Sequence, residues 1–348
     1  MSKLQVNTQK VVDKLLAGLS ARNRDIISRR FGLKNGKKET LEAIGQSYSI
    51  TRERVRQIEE ATLTQLRQGA KDSLPQVQPY FDLASSIIEE HGGILKEEDL
   101  FEHFSNNKNS SPVNSSFVLL LSLDKKFNRT ADSDEFYSFW SLGDQYAQKA
   151  GQTITALTKL FNKESQPIAY AQLANFYKQE TKDTLNPKIL FSYISLSKNV
   201  SKNIFEEFGL SSSPDINPKG VRDKAYLVLK RTNKPCHFTD ITRLINDASF
   251  SDRKANIQTV HNELIKDKRF VLVGRGMYGL SNWGYKAGTV KDVLVDVLKD
   301  SAKPLTRQEI VAKVLSARFV KENTIHLNLQ DSKVFKKLDN GTYSLREA

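Results

Sequence analysis

Five polar side chains near the start of one helical pattern have the most specific chemistry in this chain. Arg52, Glu53, Arg54, Arg56 and Gln57 follow Thr51, in a run that extends to about Gln68. Val55, Ile58, Thr62 and Leu66 recur at steps of three, four and four, which puts them on one side of an α-helix. Glu53, Arg56, Gln57 and Glu60 then fall on the opposite side, with Arg52 and Arg54 on its flanks. Such side chains can read base edges. Arg bonds both acceptors of guanine, Gln pairs with adenine, and Glu accepts from the cytosine amine. The same pattern also suits a helix that only keeps a charged face in water, and the spacing leaves both readings open.

Other chemistries lack their residues. His91, His103, His237, His261 and His326 form no two-ligand helical pair and have no acidic cluster beside them. Glu97-Glu98-Asp99 opens a predicted helix, where carboxylates complement the helix dipole. Cys236 is the single cysteine, so neither a disulfide framework nor a cysteine-rich zinc site is available, and it is expected to be buried and inert. Gly274-Arg275-Gly276-Met277-Tyr278-Gly279 fits G-x-G-x-x-G, but a dinucleotide site needs a helix to start there. Leu280-Ser281-Asn282-Trp283-Gly284 follows instead, so these glycines are expected at a hairpin tip. No enzyme activity, cofactor or metal is expected.

The elements around the five polar residues can be read from their boundaries. Leu15–Ser20 leads into a predicted helix over Ala21–Phe31, closed by Gly32. A loop over Lys34–Lys38 precedes a helix from Thr40, with Leu41 and Ile44 on one face. Tyr48-Ser49-Ile50 is a brief turn, and Thr51 can cap the long helix that follows. Two helices joined by a tight turn form a helix-turn-helix, whose second helix presents its first residues to a major groove.

Thr40-Leu41-Glu42-Ala43-Ile44-Gly45 and Ile50-Thr51-Arg52-Glu53-Arg54-Val55-Arg56-Gln57-Ile58-Glu59 resemble region 4 of the bacterial sigma-70 family. Leu16–Arg22 and Arg30-Phe31-Gly32-Leu33 resemble the part just before it, so the likeness spans about 55 residues. It implies a domain that reads the −35 promoter element and docks on the β-subunit flap of RNA polymerase. By position, Arg52, Glu53, Arg56 and Gln57 would contact bases and Arg54 the DNA backbone. The helices around Leu15–Phe31 would help form the flap surface. The family's region 2, which holds the −10 element through aromatic residues, is expected to be missing, because only about 14 residues precede Leu15. Trp140 and Trp283 stand at predicted strand ends and are expected in cores. Promoter opening is therefore expected to need another sigma factor.

The whole chain has 348 residues, 39% hydrophobic and 27% charged, a balance that can fill cores. No apolar run is long enough for a membrane span, and Met1–Gln5 has no signal-peptide core, so a reducing cytoplasm is the expected location. The net charge of +13 favours polyanionic partners such as double-stranded DNA. That charge is uneven: +7 over residues 1–72, −5 over 73–216 and +11 over 217–348.

Four segments after the helix-turn-helix follow one plan of helix, short strand, helix, helix and hairpin, which is the winged-helix order. The expected fold is mainly α, with an N-terminal helix-turn-helix over 1–72 followed by tandem winged helices. Their expected bounds are 76–144 and 148–214, both degenerate, then 218–285 and 287–348. Asp339-Asn340-Gly341 is a strong hairpin turn in the last segment. The second has almost no room for a hairpin between Val200 and Leu210. Ser73-Leu74-Pro75, Gly143-Asp144-Gln145, Ser213-Pro214-Asp215 and Asn217-Pro218 read as linkers.

Lys234-Pro235-Cys236-His237-Phe238-Thr239-Asp240-Ile241 and Asp267–Leu280 resemble the HARE-HTH winged helices, a type found in the delta subunit of bacterial RNA polymerase. Lys254, Lys268 and Arg275 are expected to add phosphate contacts around that segment. The function that follows is promoter-directed DNA binding with RNA polymerase. Two alternatives stay open: a polymerase accessory subunit or scaffold of delta type, and the specificity subunit of a DNA-processing complex.

Overall fold

Capping side chains set the first helix boundaries in the computed structural model, which describes residues 3–164, 166–285, 288–301 and 303–346, with side chains from Thr8 onward. The N-terminal helices are α1 (Lys3–Ala17), α2 (Ala21–Phe31), α3 (Leu41–Tyr48) and α4 (Arg52–Asp72). Ser20, Thr40 and Thr51 accept hydrogen bonds from Asn23 N–H, Ala43 N–H and Arg54 N–H, and so cap α2, α3 and α4. Gly32 closes α2 in the left-handed region, at φ 72°. Helix is 57% of the chain, and sixteen α-helices lie among the described residues.

The order helix, strand, helix, helix, strand, strand then recurs. The first segment is α5 (Leu74–Glu90), β1 (Ile94–Lys96), α6 (Glu97–Ser105), α7 (Pro112–Leu121), β2 (Asn128–Thr130) and β3 (Phe139–Ser141). The second is α8 (Asp144–Lys163), β4 (Ile168–Ala169), α9 (Tyr170–Thr181), α10 (Pro187–Leu196), β5 (Val200–Lys202) and β6 (Glu207–Leu210). The third is α11 (Val221–Thr232), β7 (Cys236–His237), α12 (Phe238–Asp247), α13 (Ile257–Lys266), β8 (Phe270–Gly274) and β9 (Met277–Leu280). In each of these three the last strand lies in the middle of an antiparallel sheet, in the orders β1-β3-β2, β4-β6-β5 and β7-β9-β8. The fourth is α14 (Val290–Lys299), α15 (Arg307–Ala317), α16 (Glu322–Leu329), β10 (Phe335–Lys337) and β11 (Tyr343–Leu345). A single bridge, Leu305 to Tyr343, stands where the first strand would be.

The chain divides into two compact units, Met1–Lys202 with Glu206–Ser211, and Asn203–Phe205 with Ser212–Ala348. In the first unit the helix-turn-helix and the first repeat share one core. Val12, Leu16, Ile27, Phe31 and Leu66 pack in it with Tyr80, Phe104, Phe117, Leu120 and Trp140. Every residue from Asn114 to Leu121 is buried, because α7 touches α1 and α2 as well as α5 and α6, and its second half, Phe117–Leu121, is apolar on all sides. The first and second repeats share a smaller core of Ile94, Phe139, Ala150, Ile154, Tyr193 and Leu196. In the second unit, Val228, Leu229, Ile241, Val260, Leu264 and Phe270 belong to the core of the third repeat. Val293, Leu294, Ile310, Val314 and Ile325 belong to the core of the fourth.

Three expectations are corrected. The second repeat does have its hairpin, with Val200–Lys202 paired to Phe208–Leu210. Its turn is tight and puts Glu206 at φ 59°, a conformation with no Asn-Gly signal in the sequence. Ser73-Leu74-Pro75 is not a linker, since α5 starts one residue after α4 ends and Ser73 N–H bonds Gly69 C=O. Trp140 is fully buried, whereas Trp283 only packs partly against its core, and Tyr137 and Tyr170 are exposed.

Candidate nucleic-acid interface

The turn between α3 and α4 is set by one close approach. A Cβ on Gly45 would lie 2.7 Å from Ile50 C=O, so the backbones meet where no side chain fits. Ser49 takes the left-handed conformation at φ 53°, and Ile50 N–H bonds Gly45 C=O at 3.0 Å. Ile26, Ile44 and Val55 form a small core beneath this turn, with Leu41, Tyr48, Ile50 and Ile58 packed around it. Arg29 forks onto Glu39 at 2.7 and 3.0 Å and donates to Ser47 Oγ at 2.7 Å, and Arg30 bonds Glu59 at 2.9 Å, which ties α2 to α3 and α4. Gly45→Ala is expected to cost about 1–3 kcal/mol through overpacking and to weaken DNA binding by tilting α4. A thermal melt and a duplex titration of the variant check this.

The stripe of Val55, Thr62 and Leu66 is buried, with Ile58 half-buried, and Arg52, Glu53, Arg54, Arg56 and Gln57 are all exposed on the first turns of α4. Arg56 Nη2 donates to Glu53 Oε1 at 2.9 Å, and Arg56 Nη1 donates to Glu60 Oε2 at 3.2 Å. Arg54 Nη1 donates to Gln57 Oε1 at 3.1 Å. The Arg56 guanidinium holds the Glu53 carboxyl below its ordinary range, and Glu53 in turn raises Arg56. These pairs sit in water, so they are weak and can be exchanged for base edges or phosphates.

Among the described side chains of the helices expected to offer a flap surface, Val11 and Leu15 are only partly buried. Leu16, Leu19, Ile26, Ile27 and Phe31 are buried, and Leu16, Leu19, Ile27 and Phe31 share the core with the helices of the first repeat. The second unit carries Lys254 in the loop before α13, Lys268 after it and Arg275 at the β8–β9 turn, all exposed. The G-x-G-x-x-G glycines lie in and beside that turn, and no helix starts there. Cys236 is buried in β7, and burial pushes its thiol up. No group of His, Cys, Asp and Glu among the described residues could hold a metal ion. None of the described helices is long and apolar enough to cross a membrane.

One cluster was not legible in the sequence. Glu97, read as a helix-dipole carboxylate, is buried at the start of α6. Arg129 Nη2 donates to Glu97 Oε1 at 2.8 Å, and Trp140 Nε1 donates to Oε2 at 2.9 Å. Lys38, from the α2–α3 loop, reaches the same carboxylate at 3.6 Å. Burial would raise the Glu97 carboxyl, but Arg129, Lys38 and Trp140 together hold it below the usual range. Ser110 Oγ also donates to Gly36 C=O at 2.5 Å, so the α2–α3 loop is fastened to the first repeat at two points.

With this geometry in hand, part of the chain can be set beside known proteins. Residues 15–68 match Sigma-70, region 4. The chain is 46% identical to the RNA polymerase sigma factor SigA of Nostoc sp. over 63 residues, 18% of this chain and 16% of that protein. It is 47% identical to the RNA polymerase sigma factor RpoS of Coxiella burnetii over 62 residues, 18% of each. The matched segment thus spans less than a fifth of these relatives. It contains the helix-turn-helix with Arg52, Glu53, Arg54, Arg56 and Gln57 on the first turns of α4. A sigma-like, DNA-binding helix-turn-helix is what this part of the chain is similar to, and the likeness supports a role in transcription.

Proposed function

We propose that this chain is a DNA-binding transcription factor that recognises a −35-like promoter element through α4 and works with bacterial RNA polymerase in the cytoplasm. The observation that carries the reading is the exposed set Arg52, Glu53, Arg54, Arg56 and Gln57 on the capped first turns of α4, inside the segment that matches Sigma-70, region 4. Arg52, Glu53, Arg56 and Gln57 read bases and Arg54 holds the backbone. Selection of bound sites from a random duplex library by the full chain tests this, and enrichment of one short motif is the expected result.

The four repeats are read as winged helices, supported by their recurring element order and the central last strand of three of them. The third is of the HARE-HTH, delta-like type. In the first repeat the third helix is buried, so that repeat serves as a support and not as a second reading head. The second unit adds sequence-independent phosphate contacts through Lys254, Lys268 and Arg275, in keeping with the +11 charge of residues 217–348. Its affinity for duplex DNA is expected to fall with salt at a log–log slope of roughly −0.9 per phosphate neutralised, as a titration at several salt concentrations will read. Docking on the β-subunit flap through the helices around Leu15–Phe31 belongs to the same reading, with Leu15 partly open at their surface.

A further inference from the structure

The first unit holds a groove of about 920 Å³ between elements of its two repeats, on residues that the α4 reading does not use. We propose that this groove binds single-stranded nucleic acid, stacking an unpaired base on Tyr170 and holding its phosphates with Lys96, Lys188 and Lys202. The rings come first in the argument. Tyr170 is 51% exposed and stacked on Phe191, with centroids 4.1 Å apart and planes 15° from parallel. Phe191 stacks in turn on buried Phe208 at 5.3 Å. Tyr170 keeps one aromatic face open to the groove, and the two rings behind it fix its orientation. That is a stacking platform, and any base can lie on it because every base has a π-face. Tyr137, 37% exposed, lines the same groove with Lys96 Nζ 3.9 Å above its ring.

Charge supports the same ligand. Residues 73–216 carry a net −5, yet the groove gathers three lysines against two carboxylates, Asp99 and Glu102. Both carboxylates are already engaged by Lys108, at 3.8 and 3.0 Å. Lys188 and Lys202 bond Glu90 and Glu206 on the surface, and Lys96, more enclosed, bonds Glu98. The two exposed pairs are weak, so phosphates can take the place of Glu90 and Glu206. Ser201 and Asn186 add hydroxyl and amide donors along the walls, which suit base-edge acceptors and phosphate oxygens.

The test uses fluorescein-labelled oligothymidylate of about twelve nucleotides, within the usual span of such sites, titrated into the full chain. Tyr170→Ala should weaken this binding on the order of 10-fold, and Tyr170→Phe should restore it because stacking survives. Binding of Tyr170→Ala to the duplex site read by α4 should not change. Photocrosslinking of the wild-type chain should place adducts on Tyr170 or Tyr137. The proposal is overturned if Tyr170→Ala binds the oligonucleotide as wild type, if it loses single-strand and duplex binding equally, or if adducts fall only within residues 217–348. A chain that binds duplex through Arg56 but not the oligonucleotide would sink this site and leave the α4 reading standing.

Discussion

Residues 1–72 expressed alone should not fold cooperatively, whereas residues 1–211 should. The helix-turn-helix has only three residues, Ile26, Ile44 and Val55, at the centre of its own core. Val12, Leu16, Leu19, Ile27, Phe31, Leu33 and Leu66 belong to a core that continues into α5, α6 and α7. Burying each such side chain is worth about 1.5–3 kcal/mol. Uncovering even two or three removes roughly 5 kcal/mol, as much as a domain of this size has to spare. Circular dichroism during guanidinium titration, with dye binding to exposed apolar surface, reads the difference. A sharp transition in the 1–72 fragment, at the same denaturant concentration as in 1–211, would contradict the shared core.

Replacing Glu97 by alanine should cost the first unit about 1–3 kcal/mol, because it leaves the buried Trp140 Nε1 without its acceptor. The variant also leaves Arg129 and Lys38 partly buried without their shared carboxylate. The acid dependence has a defined sign. The folded state holds the Glu97 carboxyl below its ordinary value, so its contribution is fully present above the ordinary carboxylate range, about pH 4.3, and is lost as pH falls through the folded value. Wild type should therefore lose more stability on acidification than Glu97→Ala does. Denaturant midpoints of both proteins between neutral pH and pH 3 measure this. Parallel curves would show that Glu97 is not held in its charged form by folding.

These residues also mark where the sequence is legible and where it is not. The faces of α4 could be read because Val55, Thr62 and Leu66 are buried by helices nearby in the chain, and a 3.6-residue period records that directly. The last hairpin announced itself through Asn340-Gly341, while the hairpin after Val200 turns on Glu206, a residue with no turn signature. The all-apolar stretch Phe117–Leu121 implies burial, but pattern alone does not say that α1 and α2 do the burying. Glu97 looked like an ordinary cap-region carboxylate because its partners Arg129 and Trp140 lie on β2 and β3, far along the chain. Tyr170 follows the same rule in reverse. Its exposure comes from the groove around it, which no local window contains.

The central claim is that Arg56 and its neighbours on α4 read base pairs. Its most direct test is the affinity of the full chain for the duplex motif that selection enriches, compared between wild type and Arg56→Ala. In the free protein Arg56 is exposed and held only by Glu53 and Glu60, so its removal leaves the fold intact and acts on DNA alone. The loss should be about 1–3 kcal/mol, with preference relaxed at one base pair and little change on unrelated duplex. No enriched motif, or an Arg56→Ala chain that binds the motif as tightly as wild type, would contradict base reading by α4.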